Sequence, residues 1–387
     1  MANAWEEVDS IAAEALTHLE DALVITQLAS TDKTADFLAR PNGYAVGDSV
    51  RIKTRPEYAV RDFDADGNVI NVQDIRESTR NMEIEKHLDV SVEVTSKEKV
   101  LDLESFSEQV IKPAAYSIAE TIDTYVGTKL IQAAGLYASD TLFTTQADMA
   151  QARKAGTIQQ LNPNRMCLVD VDLEATLLSA DYFATWAQRG GSGESVFNQG
   201  SMGNAMGMDF FTSLQFPQDN LAAAGDGTTA TDGDPIPAGA TANIIGSTSL
   251  VVDATVGQFE AGDRIAVAGV RRPLKVASQV LAGATAIPLV DPITEIVPDG
   301  SAVTVIGSGA TNLLSRGVIM DDRSLGFAMP MLDAPSDKPS SVVSANGFSI
   351  RVVQGYDMTT KKETLSLDVL VGAAAYDPRR MTLLREF

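Results

Sequence analysis

The residues of this chain with the strongest claim to chemistry are three acids at alternate positions, in Asp62-Phe63-Asp64-Ala65-Asp66-Gly67-Asn68. That spacing is the first half of a calcium loop, in which alternate carboxylates converge on one hard cation and the glycine makes the sharp turn. The twelfth position of such a loop needs a bidentate glutamate. Here it is Gln73, and the flanks read as strands instead of helices. Asp-Gly is also a hairpin-turn pair. The segment is read as a turn, and no metal site is assigned.

Other chemistry finds no constellation. His18 and His87 lie in unrelated segments, and neither belongs to a metal-ligand pattern. Cys167 is the one cysteine, so there is no disulfide framework and no thiolate cluster. Its apolar setting, Met166-Cys167-Leu168-Val169, predicts a buried strand residue. There is no GxxxxGK[ST] phosphate loop, and Gly191-Ser192-Gly193 lacks the strand–turn–helix frame of a nucleophile elbow. Asp and Glu number 52, but no two stand at a spacing that marks a catalytic pair. No catalytic, cofactor-binding or metal residue is named.

What the sequence does concentrate is charge. Between Asp48 and Lys112, ten basic and fifteen acidic residues fall within 65 positions, more than twice the density elsewhere. Apolar residues alternate among them, as in Val90-Ser91-Val92-Glu93-Val94. Such a ribbon has little core of its own, so it reads as an arm that meets another molecule, opposite charges pairing across the contact. A solvated antiparallel sheet on a monomer fits the same pattern.

The composition is globular: 387 residues, 44% hydrophobic, mean hydropathy +0.00. No run of about 18 apolar residues is present, and the acidic start MANAWEEVDS is unlike a signal peptide. A cytoplasmic site of synthesis is expected. The net charge of −22 repels phosphate backbones, which argues against a nucleic-acid reader.

Periodicity sets out the elements. Residues 3–28 predict an amphipathic helix with Trp5, Val8, Ala12, Ala15, Leu19 and Leu23 on one stripe. Its acids include Glu14, Glu20 and Asp21, and no basic residue precedes Lys33. That helix is a candidate docking element for a basic partner. Val50 to Thr54 reads as a strand, and Met82 to Thr95 as one returning strand. A long helix is predicted from near Leu103 to near Gly135, bent or broken at Pro113. Helices over 147–155 and 173–180 alternate with strands over 166–169 and 208–211. Residues 219–309 lose all helix signals and carry an internal repeat at an offset of 38: Asp253 with Asp291, Gly262 with Gly300, Ile265 with Val303, Val267 with Val305, Gly269 with Gly307. Duplicated strand–turn–strand units predict a small β-barrel or sandwich. Helical and mixed sequence resumes at Asn312, so this block reads as an insertion. Strands over 348–353 and 363–371 follow, expected to run beside the charged arm or the central sheet.

This order of parts resembles the major coat proteins of tailed bacteriophages, in the Hong Kong 97-like fold, of the short-tailed-phage type with an inserted β-domain. Three segments carry the resemblance. Asn312-Leu-Leu-Ser-Arg-Gly-Val-Ile-Met-Asp-Asp-Arg-Ser-Leu-Gly-Phe-Ala-Met-Pro330 is similar to the segment after the insertion. Ser349 to Glu363, with Asp368-Val-Leu-Val-Gly372 and Pro378, resembles the C-terminal strands. Gly262-Asp-Arg-Ile-Ala-Val-Ala-Gly-Val270 resembles a strand of the inserted domain.

The resemblance implies an α+β fold laid out as N-terminal arm (1–47), extended loop with flanking strands (48–100), spine helix and peripheral domain (101–145), axial domain (146–218 and 310–345), inserted β-barrel (219–309) and C-terminal strands (346–387). It implies a non-enzymatic, self-assembling subunit of an icosahedral virion head that encloses double-stranded DNA and assembles in the host cytoplasm. Its partners would be many copies of itself, a scaffolding protein, a portal protein and a decoration protein. The inter-subunit residues of the extended loop would be Arg55, Glu57, Arg61, Asp62, Arg76, Glu77 and Arg80, and the scaffold-docking acids Glu14, Glu20 and Asp21. Crosslinking through Lys and Asn has no support, since nothing marks Lys53 or Lys86 for it. A nanocompartment shell protein of the same fold and a β-rich carbohydrate-binding or hydrolytic protein remain as alternatives.

Overall fold

A computed structural model describes residues 2–32, 34, 49–53, 79–95, 107–140, 143–158, 161–180, 202–217, 227–231, 243, 246–270, 272–293, 295, 297, 299–306, 314–335, 337–359 and 362–386. The chain begins with α1 (Ala2–Ala22). Val8, Ala12, Ala15, Leu16 and Leu19 all point inward, and Leu23 continues the stripe past the helix end. This apolar face is covered within the chain, by a long helix and two C-terminal strands.

The charged region begins as a ribbon. β1 (Ser49–Lys53) pairs antiparallel with β2 (Thr79–Glu83), Val50 opposite Met82 and Ile52 opposite Arg80. Ile52, Met82 and Ile84 form a small apolar cluster with Ala328 and Leu370. β3 (Lys86–Thr95) follows. The single returning strand expected over 82–95 is thus two strands, because each half has a different partner. The corner at Ile84 and Glu85 crosses a C-terminal strand so closely that a Cβ on Gly372 would lie 2.3 Å from the Glu83 carbonyl oxygen.

The spine helix is α2 (Lys112–Ala133), entered through a π-helical turn over Ser107–Ile111. Pro113 sits in the first turn of α2, where its missing N–H is no loss. The expected break is therefore a change of winding at that proline. The 22 residues span about 33 Å.

β4 (Leu136–Asp140), α3 (Gln146–Ile158), β5 (Arg165–Val169), α4 (Val171–Ser179), β6 (Asn204–Ala205) and β7 (Met208–Thr212) complete the first half. After the β-rich block come β14 (Leu314–Met320), β15 (Leu325–Ala328), β16 (Ser340–Ala345), β17 (Phe348–Asp357), β18 (Lys362–Ala375) and β19 (Met381–Glu386). The described part of 310–345 holds strands joined by turns and irregular chain, without the helix expected there, because β14 is claimed by a central sheet.

That sheet has the order β4-β19-β14-β5-β7-β6. α3 and α4 pack with it around Met149, Ala152, Cys167, Leu173, Leu177 and Ile319. Cys167 is a fully buried strand residue, as its sequence setting predicts. A second sheet runs β15-β18-β17-β16, with β3 added on β18 from Lys362↔Thr95 to Val371↔Lys86. α1 and α2 cover it, and this is the largest core. The C-terminal strands do run beside the charged region, as expected.

The block between β7 and β14 contains β8 (Thr228–Ala230), β9 (Ser249–Val251), β10 (Arg264–Val267), β11 (Leu274–Lys275), β12 (Ala286–Pro288) and β13 (Ala302–Val305). β11-β10-β13-β8 form one sheet and β12-β9 another. Bridges Thr231↔Val252 and Val276↔Leu289 join the two into a closed ring. Its own core includes Leu250, Phe259, Ile265, Val267, Ile287, Val303 and Val305. The repeat explains the pairing. Ile265 pairs with Val305 and Val267 with Val303, so the equivalent strands β10 and β13 lie antiparallel about a local two-fold. Gly262 and Gly300 precede them, both at positive φ, +94° and +65°.

Candidate functional site

The candidate sites that sequence reading names are contact surfaces. The first is the base of the charged arm. Glu85, at the β2–β3 corner, receives Lys129 Nζ at 2.7 Å and the Tyr125 hydroxyl at 3.1 Å. Lys86 and Lys129 lie 5.3 and 5.6 Å from the Tyr125 ring centroid, cations over a π face. Burial, then the Glu85 carboxylate, raises the Tyr125 phenol above its ordinary range. It is thus a neutral donor that latches the arm base to α2. Along β3, His87, Asp89, Ser91 and Glu93 face outward, while Leu88 and Val90 lean on the core. Lys362 Nζ reaches Glu93 at 2.8 Å and Ser366 donates to Asp89 at 2.5 Å, so β18 answers part of that charge.

Of the arm residues named from the sequence, Arg55, Glu57, Arg61, Asp62, Arg76 and Glu77 lie outside the described residues, as do Asp64 and Asp66. Arg80 lies on β2. Its guanidinium meets Asp291 of the β-block at 3.3 Å, an acid of its own chain. Sequence reading expected an acid on a neighbouring subunit.

The second surface is the polar face of α1. Glu14 and Asp21 are exposed, and Glu20 is half-buried. Glu14 lies 3.7 Å from His18, and Glu20 accepts from the Asn346 side chain at 2.6 Å. The described part of the apolar stripe, Val8 to Leu23, is buried in the chain's own core, which leaves the acidic face for a partner.

Just beyond α1 the chain is held by a residue sequence reading missed. Asp123 of α2 is 1% exposed. Its carboxylate accepts from the Val24, Ile25 and Thr26 amides at 2.8, 3.2 and 3.0 Å, and from the Thr26 hydroxyl at 2.6 Å. Four donors satisfy a charge that burial alone would make very costly. The available signal was its place in the buried stripe, four residues after Ala119 and three before Val126.

The third surface is the seam between the β-block and the end of α2. Lys275 Nζ donates to the Gln132 carbonyl at 3.0 Å, and Arg264 donates to the Ala134 carbonyl. The last carbonyls of a helix lack partners within it and carry the negative end of its dipole. Two cations from the block supply what α2 lacks. Nothing local in the sequence signals these pairings, across 130 and 143 residues.

Among the described residues no group of three or more His, Cys, Asp or Glu side chains is placed to hold a metal ion. The Cys167 thiol is pushed up to about 12 by burial, so it is inert at neutral pH. Among the described residues no helix is long and apolar enough to cross a membrane.

Solved structures give the clearest likeness. One described as Mycobacterium phage Che8 superposes with a TM-score of 0.52 at 11% identity, over 94% of this chain and 90% of that one. The chain shares the fold of that phage structure. The capsid structure of Cyanophage P-SCSP1u aligns at TM-score 0.47 and 11% identity, covering 89% of this chain and 85% of that one. A virus-like particle from Pyrococcus furiosus aligns at 0.44 and 7%, covering 98% and 99%. No family model and no curated protein matches the sequence.

Proposed function

We propose that this chain is the major capsid protein of a tailed bacteriophage, a non-enzymatic subunit that self-assembles into the icosahedral head around double-stranded DNA. The observation that supports this best is the likeness in fold to the Mycobacterium phage Che8 structure along 94% of the chain. On this reading the domains run as the resemblance implies, with the barrel of 219–309 as an inserted domain. Arg55, Glu57, Arg61, Asp62, Arg76 and Glu77 pair across subunits, Arg80 holds Asp291 of its own chain, and the acids of α1 dock a scaffolding protein. Portal and decoration proteins complete the particle in the host cytoplasm.

Electron microscopy of the purified chain, alone and with its candidate scaffold, tests the reading. Uniform closed shells are expected. Monomers under every condition would overturn it, and shells that carry an enzyme in place of DNA would assign the chain to a nanocompartment.

A further inference from the structure

The seam between the β-block and the end of α2 encloses a cleft lined by Gly135, Arg272, Pro273, Lys275, Asp291 and Arg379, among others. Among the described lining residues three side chains are cationic and one is a carboxylate. The imbalance continues around Lys275, where Arg264, Arg80 and Arg385 oppose its charge and Asp291 favours it. Burial first, then this repulsion, pushes the Lys275 ammonium down to about 8. Existing contacts absorb part of the field: Arg80 holds Asp291 at 3.3 Å, Arg379 holds Asp377 at 2.9 Å, and Lys275 caps α2. In a chain with 52 acidic and 30 basic residues, such a gathering of cations is a local reversal of sign.

We propose that this cleft receives a carboxylate presented by a second copy of this chain. The inference rests on the shell reading above, in which the neighbours of each subunit are copies of itself. A surface that is acidic overall offers carboxylates to whatever touches it, and a cationic cleft is their complement. Duplex phosphate is the other source of oxyanion. It needs an extended basic track, and the net charge of −22 repels a polyanion at long range. One side-chain carboxylate needs only the local field.

The geometry carries a second consequence. A carboxylate in the cleft offsets the repulsion around Lys275 and favours its protonated form. Docking therefore takes up protons near the pKa of Lys275, and association weakens as the pH rises through about 8.

The test is sedimentation velocity on the full-length protein across a salt series, comparing the natural chain with Arg272→Glu, Arg272→Gln and Lys275→Arg. Self-association should weaken about tenfold in Arg272→Glu and less in Arg272→Gln, with far-ultraviolet circular dichroism checking that each variant is folded. Lys275→Arg, which keeps a charge at this position, should lose the decline in association above about pH 8. If Arg272→Glu forms shells as readily as the natural chain, the cleft proposal is overturned and the shell reading stands. A natural chain that never associates overturns both. A parallel titration with inorganic phosphate separates the sources: saturable stabilisation that leaves association unchanged assigns the cleft to phosphate and overturns the second-copy proposal.

Discussion

Thr26 and Asp123, 97 residues apart, meet through a 2.6 Å hydroxyl–carboxylate hydrogen bond inside the core. The same carboxylate accepts the Val24, Ile25 and Thr26 amides. One side chain of the spine helix thus fixes the exit of the N-terminal helix, and fixes with it the orientation of the acidic face of α1. Asp123→Ala leaves those donors buried without their acceptor. The expected loss is about 3 kcal/mol of unfolding free energy, read by chemical denaturation. A loss below about 1 kcal/mol would mean that water or a shift of the chain replaces the carboxylate.

The Arg80–Asp291 pair ties the arm base to the β-block at partial exposure, 33% and 25% for the two side chains. A double-mutant cycle with Arg80→Ala and Asp291→Ala should give a coupling of about 0.5–1 kcal/mol, reduced in high salt. A coupling indistinguishable from zero at low salt would show that the contact does not brace the arm.

Lys275 makes stability depend on alkaline pH in an unusual direction. In the folded chain it gives up its proton near 8, against 10.5 for an ordinary lysine. Between those values the unfolded chain binds more protons, so stability rises with pH across that window, through this group, and is flat in it below about 8. The neutral amine still donates to the Gln132 carbonyl. Lys275→Met should remove the rise when Tm is followed from about pH 7 to about pH 10. A rise that persists in the variant belongs to another group.

The acids of α1 give a test of scaffold docking separate from folding. Replacing Glu14, Glu20 and Asp21 with Lys leaves the buried stripe of Val8, Ala12, Ala15, Leu16 and Leu19 intact. Subunit Tm should shift little, apart from the lost Asn346–Glu20 bond. Scaffold binding, measured by titration at rising ionic strength, should be lost in the variant and fall steeply with salt in the natural chain. Equal binding by both at every salt would remove the docking role.

The charged arm is tested by reversal. Glu in place of Arg61 and Arg76 should leave a folded monomer that fails to assemble, seen as a loss of fast-sedimenting material. Normal assembly at low and high salt would show that those arginines do not clasp a neighbour.

Local sequence determined the elements. Three- and four-residue spacing marked α1 and α2, because a helix brings those positions to one face. Pro113 marked the change of winding, since it has no N–H to give. The 38-residue repeat anticipated a duplicated barrel, as equal segments fold alike. Tertiary structure alone decided the partners. β3 could have paired with β1 in a hairpin, and its alternation of Leu88, Val90 and Val92 with His87, Asp89 and Ser91 suits any strand; the buried edge of β18 claims it. Asp123 reads as one more acid until the amides of 24–26 close on it. Lys275 and Arg264 read as solvated charges until the carbonyls at the end of α2 accept from them. Periodicity is encoded within a few residues, whereas a buried carboxylate or a helix cap gains its meaning only when segments about a hundred residues apart are desolvated together.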